Sequence, residues 1–82
     1  MVIGVDLGGT KVRAGVAVQG KMQNQKQQLF HSKGSKDDTL GQLIDLIRSL
    51  TNADLQGIGL GVPSVIDVPN GVVYNVVNIP AW

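Results

Sequence analysis

Apolar residues recur on both sides of a short glycine turn near the start of the chain, and this pattern predicts two β-strands. The runs at residues 2–6 and 11–18 are rich in β-branched residues, which are typical of strands. Gly8 and Gly9 lie between the runs, where a tight turn needs residues without a side chain. The pattern therefore predicts a strand, a tight turn and a second strand.

A polar run at residues 22–32 follows a turn at Gly20-Lys21. Its glutamines are also typical of a low-complexity linker. Because the run follows a tight turn and ends in Leu29-Phe30, we favour a third antiparallel strand at the sheet edge, with its polar face in water.

An amphipathic helix is predicted next. Asp37 or Asp38 is a suitable N-cap and brings negative charge to the positive end of the helix dipole. We expect the helix to end near Thr51-Asn52. Three-and-four spacing predicts one buried stripe made of Leu40, Leu43, Ile44, Ile47 and Leu50.

Residues 55–62 predict a fourth strand, parallel to the first and buried on both faces, because the run is almost continuously apolar. Its alternating glycines leave one face without side chains, which indicates close approach by a helix or a ligand, and we favour a helix. Pro69-Asn70-Gly71 then predicts the turn of a small hairpin, and residues 75–82 show no regular period.

Composition excludes several classes of protein. With no Cys and one His, the chain has no disulfide and no thiolate metal site. The net charge is +1, and no basic stripe with interleaved aromatic residues indicates nucleic-acid binding. No apolar run reaches the roughly 18 residues of a membrane span, and there is no signal-peptide pattern, so we expect a cytoplasmic protein with no membrane partner.

The segment Asp6-Leu7-Gly8-Gly9-Thr10-Lys11 is the strongest candidate for chemistry. Exposed glycine N–H groups, a hydroxyl and a cation suit a phosphate, and the nearby Asp6 carboxylate suits one that carries Mg²⁺. The alternative is an ordinary hairpin with Gly-Gly in a type I′ turn. The spacing matches neither a P-loop nor the dinucleotide G-x-G-x-x-G motif.

Three segments together resemble the ROK family of bacterial sugar kinases and related repressors. They are residues 3–11 (IGVDLGGTK), residues 57–63 (GIGLGVP), and Asn70-Gly71-Val72-Val73 leading to Asn78-Ile79-Pro80-Ala81-Trp82. The first segment is shared with the wider actin, Hsp70 and hexokinase superfamily, whereas the other two narrow the resemblance to the ROK group.

The resemblance implies an α/β, ribonuclease-H-like fold of the actin-like ATPase and hexokinase superfamily. Its mixed sheet would have three antiparallel strands, then a helix, then a parallel strand. The same resemblance implies that Asp6 orders Mg²⁺ through water and that the ATP phosphates are contacted by Gly8, Gly9, Thr10 and Lys11.

The resemblance implies that the sugar is bound by Pro63 and Ser64 at the end of the fourth strand and by Asn78 in the following loop. Position 64 is more often Gly in the family, so Ser64 is a departure that bears on which sugar is used. Val76-Val77, where relatives often have Ala-Pro, is a milder one.

The resemblance also implies parts that this sequence lacks. Family kinases carry their catalytic base, an Asp in an Asn-Asp pair, and a zinc-binding His and Cys cluster beyond the matching region. We therefore expect residues 1–82 to be the incomplete N-terminal domain of a hexose kinase that uses MgATP, without its second lobe and inactive alone. We expect the parent protein to be a homo-oligomer, namely a dimer, and to be able to bind a structural zinc through ligands that this sequence does not contain.

The rival hypothesis is a non-catalytic binding module or a regulator without a DNA-binding domain. Three further residues have plainer interpretations than a catalytic or binding role. We expect His31 to be a surface residue, Asp67 to be a turn acid, and Trp82 to anchor packing against a following helix.

Overall fold

A computed structural model describes all 82 residues of the chain. The chain folds into a four-stranded mixed sheet, one helix packed on it, and a separate two-stranded hairpin. In chain order the elements are β1 (Val2–Leu7), β2 (Lys11–Val18), β3 (Lys21–Leu29), α1 (Lys36–Leu50), β4 (Gly57–Gly61), β5 (Val65–Asp67) and β6 (Val72–Tyr74).

The strand order β3-β2-β1-β4 confirms the predicted topology. The first three strands pair antiparallel, and β4 returns parallel to β1, with Asp6 opposite Gly61. Because parallel strands end at the same edge of a sheet, the carboxyl ends of β1 and β4 lie side by side. The loop after β1 and the segment after β4 are therefore neighbours.

One face of the sheet carries the hydrophobic core. Alternate side chains of β1 and β2 are buried there, whereas those between them are largely exposed on the opposite face, as the period of two requires. The core comprises Ile3, Val5, Leu7, Val12, Ala14, Val16, Phe30, Leu43, Leu46, Leu50, Val76 and Ile79.

The N-cap of α1 differs from the prediction. Ser35 is the cap, with an extended backbone (φ −62°, ψ 167°), and its Oγ accepts the Asp38 backbone N–H at 3.1 Å. Asp37 and Asp38 lie two and three residues after the cap, in the first turn, where their charge still complements the helix dipole. The prediction favoured the acids because they have cap-forming side chains, but serine is an equally good cap.

The buried face of α1 is also rotated relative to the prediction. Thr39 and Leu46 are buried, whereas Ile44 is 44% exposed. Thr39 can enter the core because its hydroxyl donates to the carbonyl oxygens of Ser35 and Lys36. Leu43 and Leu50 are buried as predicted, whereas hydrophobicity alone cannot identify a buried position such as Thr39.

The two edge strands are more exposed than the rest of the sheet. All nine residues of β3 are exposed, as its polar pattern predicts. The prediction of two buried faces for β4 is wrong for this chain, because Ile58 and Leu60 are 48% and 40% exposed. Apart from the glycine itself and its two neighbours in sequence, no residue of the chain comes within 4 Å of a Cβ built at Gly57 or Gly59, so no helix or loop of this chain packs on the glycine face there.

The hairpin of β5 and β6 is present as predicted. Asn70 donates from its backbone and side chain to the Asp67 carboxylate, and Gly71 takes a positive φ of 65°. Asp67 is therefore a turn acid. The single helix, at 15 residues, falls short of what crossing a membrane requires.

Candidate functional site

The turn between β1 and β2 is closed by a hydrogen bond from the Gly8 N–H to the Lys11 carbonyl oxygen at 2.9 Å. Gly8 and Gly9 are not among the glycines with positive φ. A type I′ turn needs positive φ at both central residues, so the turn of this β1–β2 hairpin is not of type I′, and phosphate binding by it stays a prediction. The Gly8 N–H is used within the turn, which leaves Gly9 and Thr10 as the donors available to a ligand.

The close approach of neighbouring atoms, and not a need for positive φ, explains why residues 8 and 9 are glycines. A Cβ at Gly9 would lie 2.8 Å from the Asn78 Cβ, and one at Gly8 would lie 3.1 Å from the Lys11 carbonyl oxygen. Gly9 therefore lets the segment of residues 75–82 pack directly on the turn. This contact brings a predicted phosphate-binding residue against a predicted sugar-binding residue.

A pocket of about 350 Å³ opens beside this contact. We call it the loop pocket; it is lined by Gly9, Thr10, Ser32, Lys33 and Asn78, none of them hydrophobic. The lining offers N–H, hydroxyl, amide and ammonium donors and no carboxylate. Such a surface is suited to an anion.

Sequence reasoning missed Ser32 and Lys33. Both lie in the segment between β3 and α1, which joins the site because the Phe30 N–H donates to the Thr10 carbonyl oxygen at 2.8 Å. The predicted pairing of β2 with β3 was the available indication, since it places the end of β3 beside the start of β2.

Asp6 and Lys11 lie outside the loop pocket. Val12 is buried in the core, so alternation along β2 directs Lys11 and Arg13 to the other face of the sheet, where Asp6 also lies. A second pocket of about 540 Å³, the sheet-face pocket, contains Asp6 and Arg13 above a floor that includes Gly4 and Gly15. The predicted phosphate residues thus divide between two sides of the turn.

Asp6 supplies one carboxylate for the magnesium site that the resemblance implies. It is exposed at the end of β1, next to Gly61, and it makes no side-chain hydrogen bond. The chain has no cluster of three or more metal-binding side chains. One carboxylate is enough for Mg²⁺ that keeps its waters and is also held by substrate phosphates.

Pro63 and Ser64 follow β4 at the same edge of the sheet as the turn, but they line neither pocket. The Ser64 hydroxyl donates to the Tyr74 carbonyl oxygen, which ties the end of β4 to the end of β6. Its donor is therefore used within the chain, and a sugar-binding role for these two residues stays a prediction.

Trp82 packs against the core of this chain. Its Nε1–H donates to Thr39 Oγ1 at 2.8 Å, and the partly buried ring lies against the core. Ile79, three residues earlier, is fully buried. Val76 is buried as well, so buried residues on both sides of Asn78 hold it over the turn.

Comparisons with known proteins agree with this architecture. The ROK family model matches residues 2–82. Glucokinase from Thermotoga maritima is 32% identical over 82 residues, which is 98% of this chain and 26% of that protein. A crystal structure of a protein described as a sugar kinase, from Cytophaga hutchinsonii, superposes with a TM-score of 0.74 at 22% identity, over 98% of this chain and 28% of that one.

The chain belongs to the ROK family. Its fold matches that of part of the structure described as a sugar kinase, which confirms the predicted α/β, ribonuclease-H-like fold class. It spans about a quarter of the length of these relatives.

Proposed function

We propose that this chain is the N-terminal, nucleotide-binding part of a kinase that transfers the γ-phosphate of MgATP to a hexose hydroxyl. Residues 1–82 would form an incomplete first domain, with the second lobe elsewhere in the parent protein. Membership of the ROK family and similarity to a glucokinase support the sugar-kinase class. The choice of a hexose as the phosphate acceptor and of MgATP as the donor goes beyond these comparisons and is part of the proposal.

The observation that carries the proposal is the contact between Gly9 and Asn78 at the rim of the donor-lined loop pocket. Phosphoryl transfer requires the phosphate donor and the acceptor hydroxyl to meet in line, and catalysis depends mainly on positioning and charge stabilisation. The contact between Gly9 in the predicted phosphate turn and Asn78 in the predicted sugar loop supports such an arrangement.

In the proposed reaction the hexose hydroxyl oxygen forms a bond to the γ-phosphorus, and the bond from that phosphorus to the β–γ bridging oxygen breaks, so that ADP leaves. The Gly9 N–H and the Thr10 hydroxyl would hold the phosphate oxygens, and Asp6, on the other side of the turn, would hold hydrated Mg²⁺. Bound Mg²⁺ supplies charge neutralisation on the phosphates. The hydroxyl proton goes to a base that the family resemblance assigns to sequence beyond Trp82.

The test is sugar-dependent ADP release by the complete gene product, measured with a coupled assay over a panel of hexoses and in parallel with the 82-residue chain. We expect turnover with at least one hexose for the complete protein and none for the 82-residue chain, which lacks a base. Absence of turnover by the complete protein with every hexose would contradict the kinase assignment and favour a non-catalytic binding module.

A further inference from the structure

Lys33 is the only cationic side chain that lines the loop pocket. The cation in the turn motif itself, Lys11, is directed to the other face of the sheet and lines neither pocket. If an anion occupies the loop pocket beside Gly9 and Thr10, the positive charge next to it comes from the segment between β3 and α1.

This segment is held in place from both ends. The Phe30 N–H is bonded to the Thr10 carbonyl oxygen, and the Gln42 side chain binds both the N–H and the C=O of His31, at 2.8 and 3.0 Å. Ser32 is only 7% exposed. Lys33 therefore extends from a fixed backbone, which lowers the entropic cost of placing its ammonium group on a ligand.

The residues on the helix side of Lys33 are equally constrained. Ser35 caps α1, and a Cβ at Gly34 would collide with the Asp38 carboxylate, so the backbone passes close to that side chain. The same carboxylate accepts from the Gln42 amide at 3.2 Å. The Asp38 carboxylate is thus engaged with Gln42 of the helix and does not line the loop pocket with Lys33.

We propose that Lys33 is a phosphate-binding residue that works with Gly9 and Thr10 to hold the triphosphate of the nucleotide in the loop pocket. The inference rests on the proposed function, and it names a residue outside the turn motif. An ammonium group offers three donors and no acceptor, and a bond from it to a phosphate oxygen is charge-assisted.

Calorimetric titration of the 82-residue chain with sodium tripolyphosphate at low salt tests this proposal. We expect Lys33→Gln to weaken binding by about three- to tenfold, the range for one charge-assisted contact at a partly exposed site. Lys33→Arg, which keeps the charge, should restore most of the affinity. Lys21→Gln is the matched control, because Lys21 begins β3 at the far end of the β2–β3 hairpin.

The outcomes separate this inference from the proposed function. If the wild-type chain binds tripolyphosphate and Lys33→Gln binds equally well, the role of Lys33 is wrong and the turn remains a phosphate site. If the wild-type chain does not bind tripolyphosphate, both proposals are overturned. A parallel titration with glucose 6-phosphate tests whether the bound phosphate belongs to the nucleotide or to the sugar. If Lys33→Gln weakens the binding of glucose 6-phosphate but not of tripolyphosphate, the assignment to the nucleotide is overturned.

Discussion

Replacing Thr10 or Asp6 with alanine in the complete protein is expected to lower kcat by about 10²-fold, the effect of removing one preorganised contact to developing charge. KM for the sugar should change little, because neither side chain is placed to touch the hexose. Thr10 lines the loop pocket, and Asp6 lies across the turn where one carboxylate suits hydrated Mg²⁺. Steady-state kinetics with sugar and MgATP varied separately give the two constants.

Exposed residues of the same types in α1 and its C-cap provide matched controls. Thr51 caps the far end of the helix and Asp45 lies on its exposed face, so Thr51→Ala and Asp45→Ala should leave kcat within about twofold. An unchanged kcat in both the Thr10 and the Asp6 variants would contradict their assigned roles. An equal loss in the control pair would show that general destabilisation, and not chemistry, causes the effect.

Ile79→Ala is expected to lower the free energy of unfolding of the 82-residue chain by about 2–5 kcal/mol. The side chain is fully buried in the core, so its removal loses transfer free energy and leaves a cavity. A domain this small has only a few kcal/mol of stability in total, so the variant should be largely unfolded or close to it.

Val77→Ala is the matched control two residues away. Val77 is 81% exposed, so its truncation should change the free energy of unfolding by less than about 0.5 kcal/mol. Urea denaturation followed by Trp82 fluorescence measures both variants. Similar stability of the two would contradict the packing of residues 75–82 on the core, and with it the placement of Asn78 over the turn.

Local pattern was sufficient to predict most of the sheet. Alternation in β1 and β2 and the apolar run of β4 identified the strands, and the order of elements indicated the parallel return of β4. The face of α1 was misplaced because Thr39 is buried through hydrogen bonds, two of them local and one from Trp82 at the far end of the chain. A pattern of hydrophobicity contains no information about that long-range contact.

The site was predictable only in part, for the same reason. The turn at Gly8-Gly9 is a local motif, but Lys33 joins it through pairing of the strand ends, 20 or more residues apart along the chain. The placement of Asp6 and Lys11 on the face of the sheet opposite the core follows from strand alternation. Engagement of the Ser64 hydroxyl by Tyr74 depends on the hairpin and could not be inferred from residue 64 alone.

The central claim is that the turn after β1, together with the loop pocket beside it, binds the phosphates of MgATP. Backbone amide chemical shifts of the ¹⁵N-labelled 82-residue chain during titration with MgATP test it most directly. We predict the largest changes at Gly9, Thr10, Lys33 and Asn78. Changes confined to the sheet-face pocket around Gly4 and Met22, or no changes at saturating MgATP, would contradict the claim.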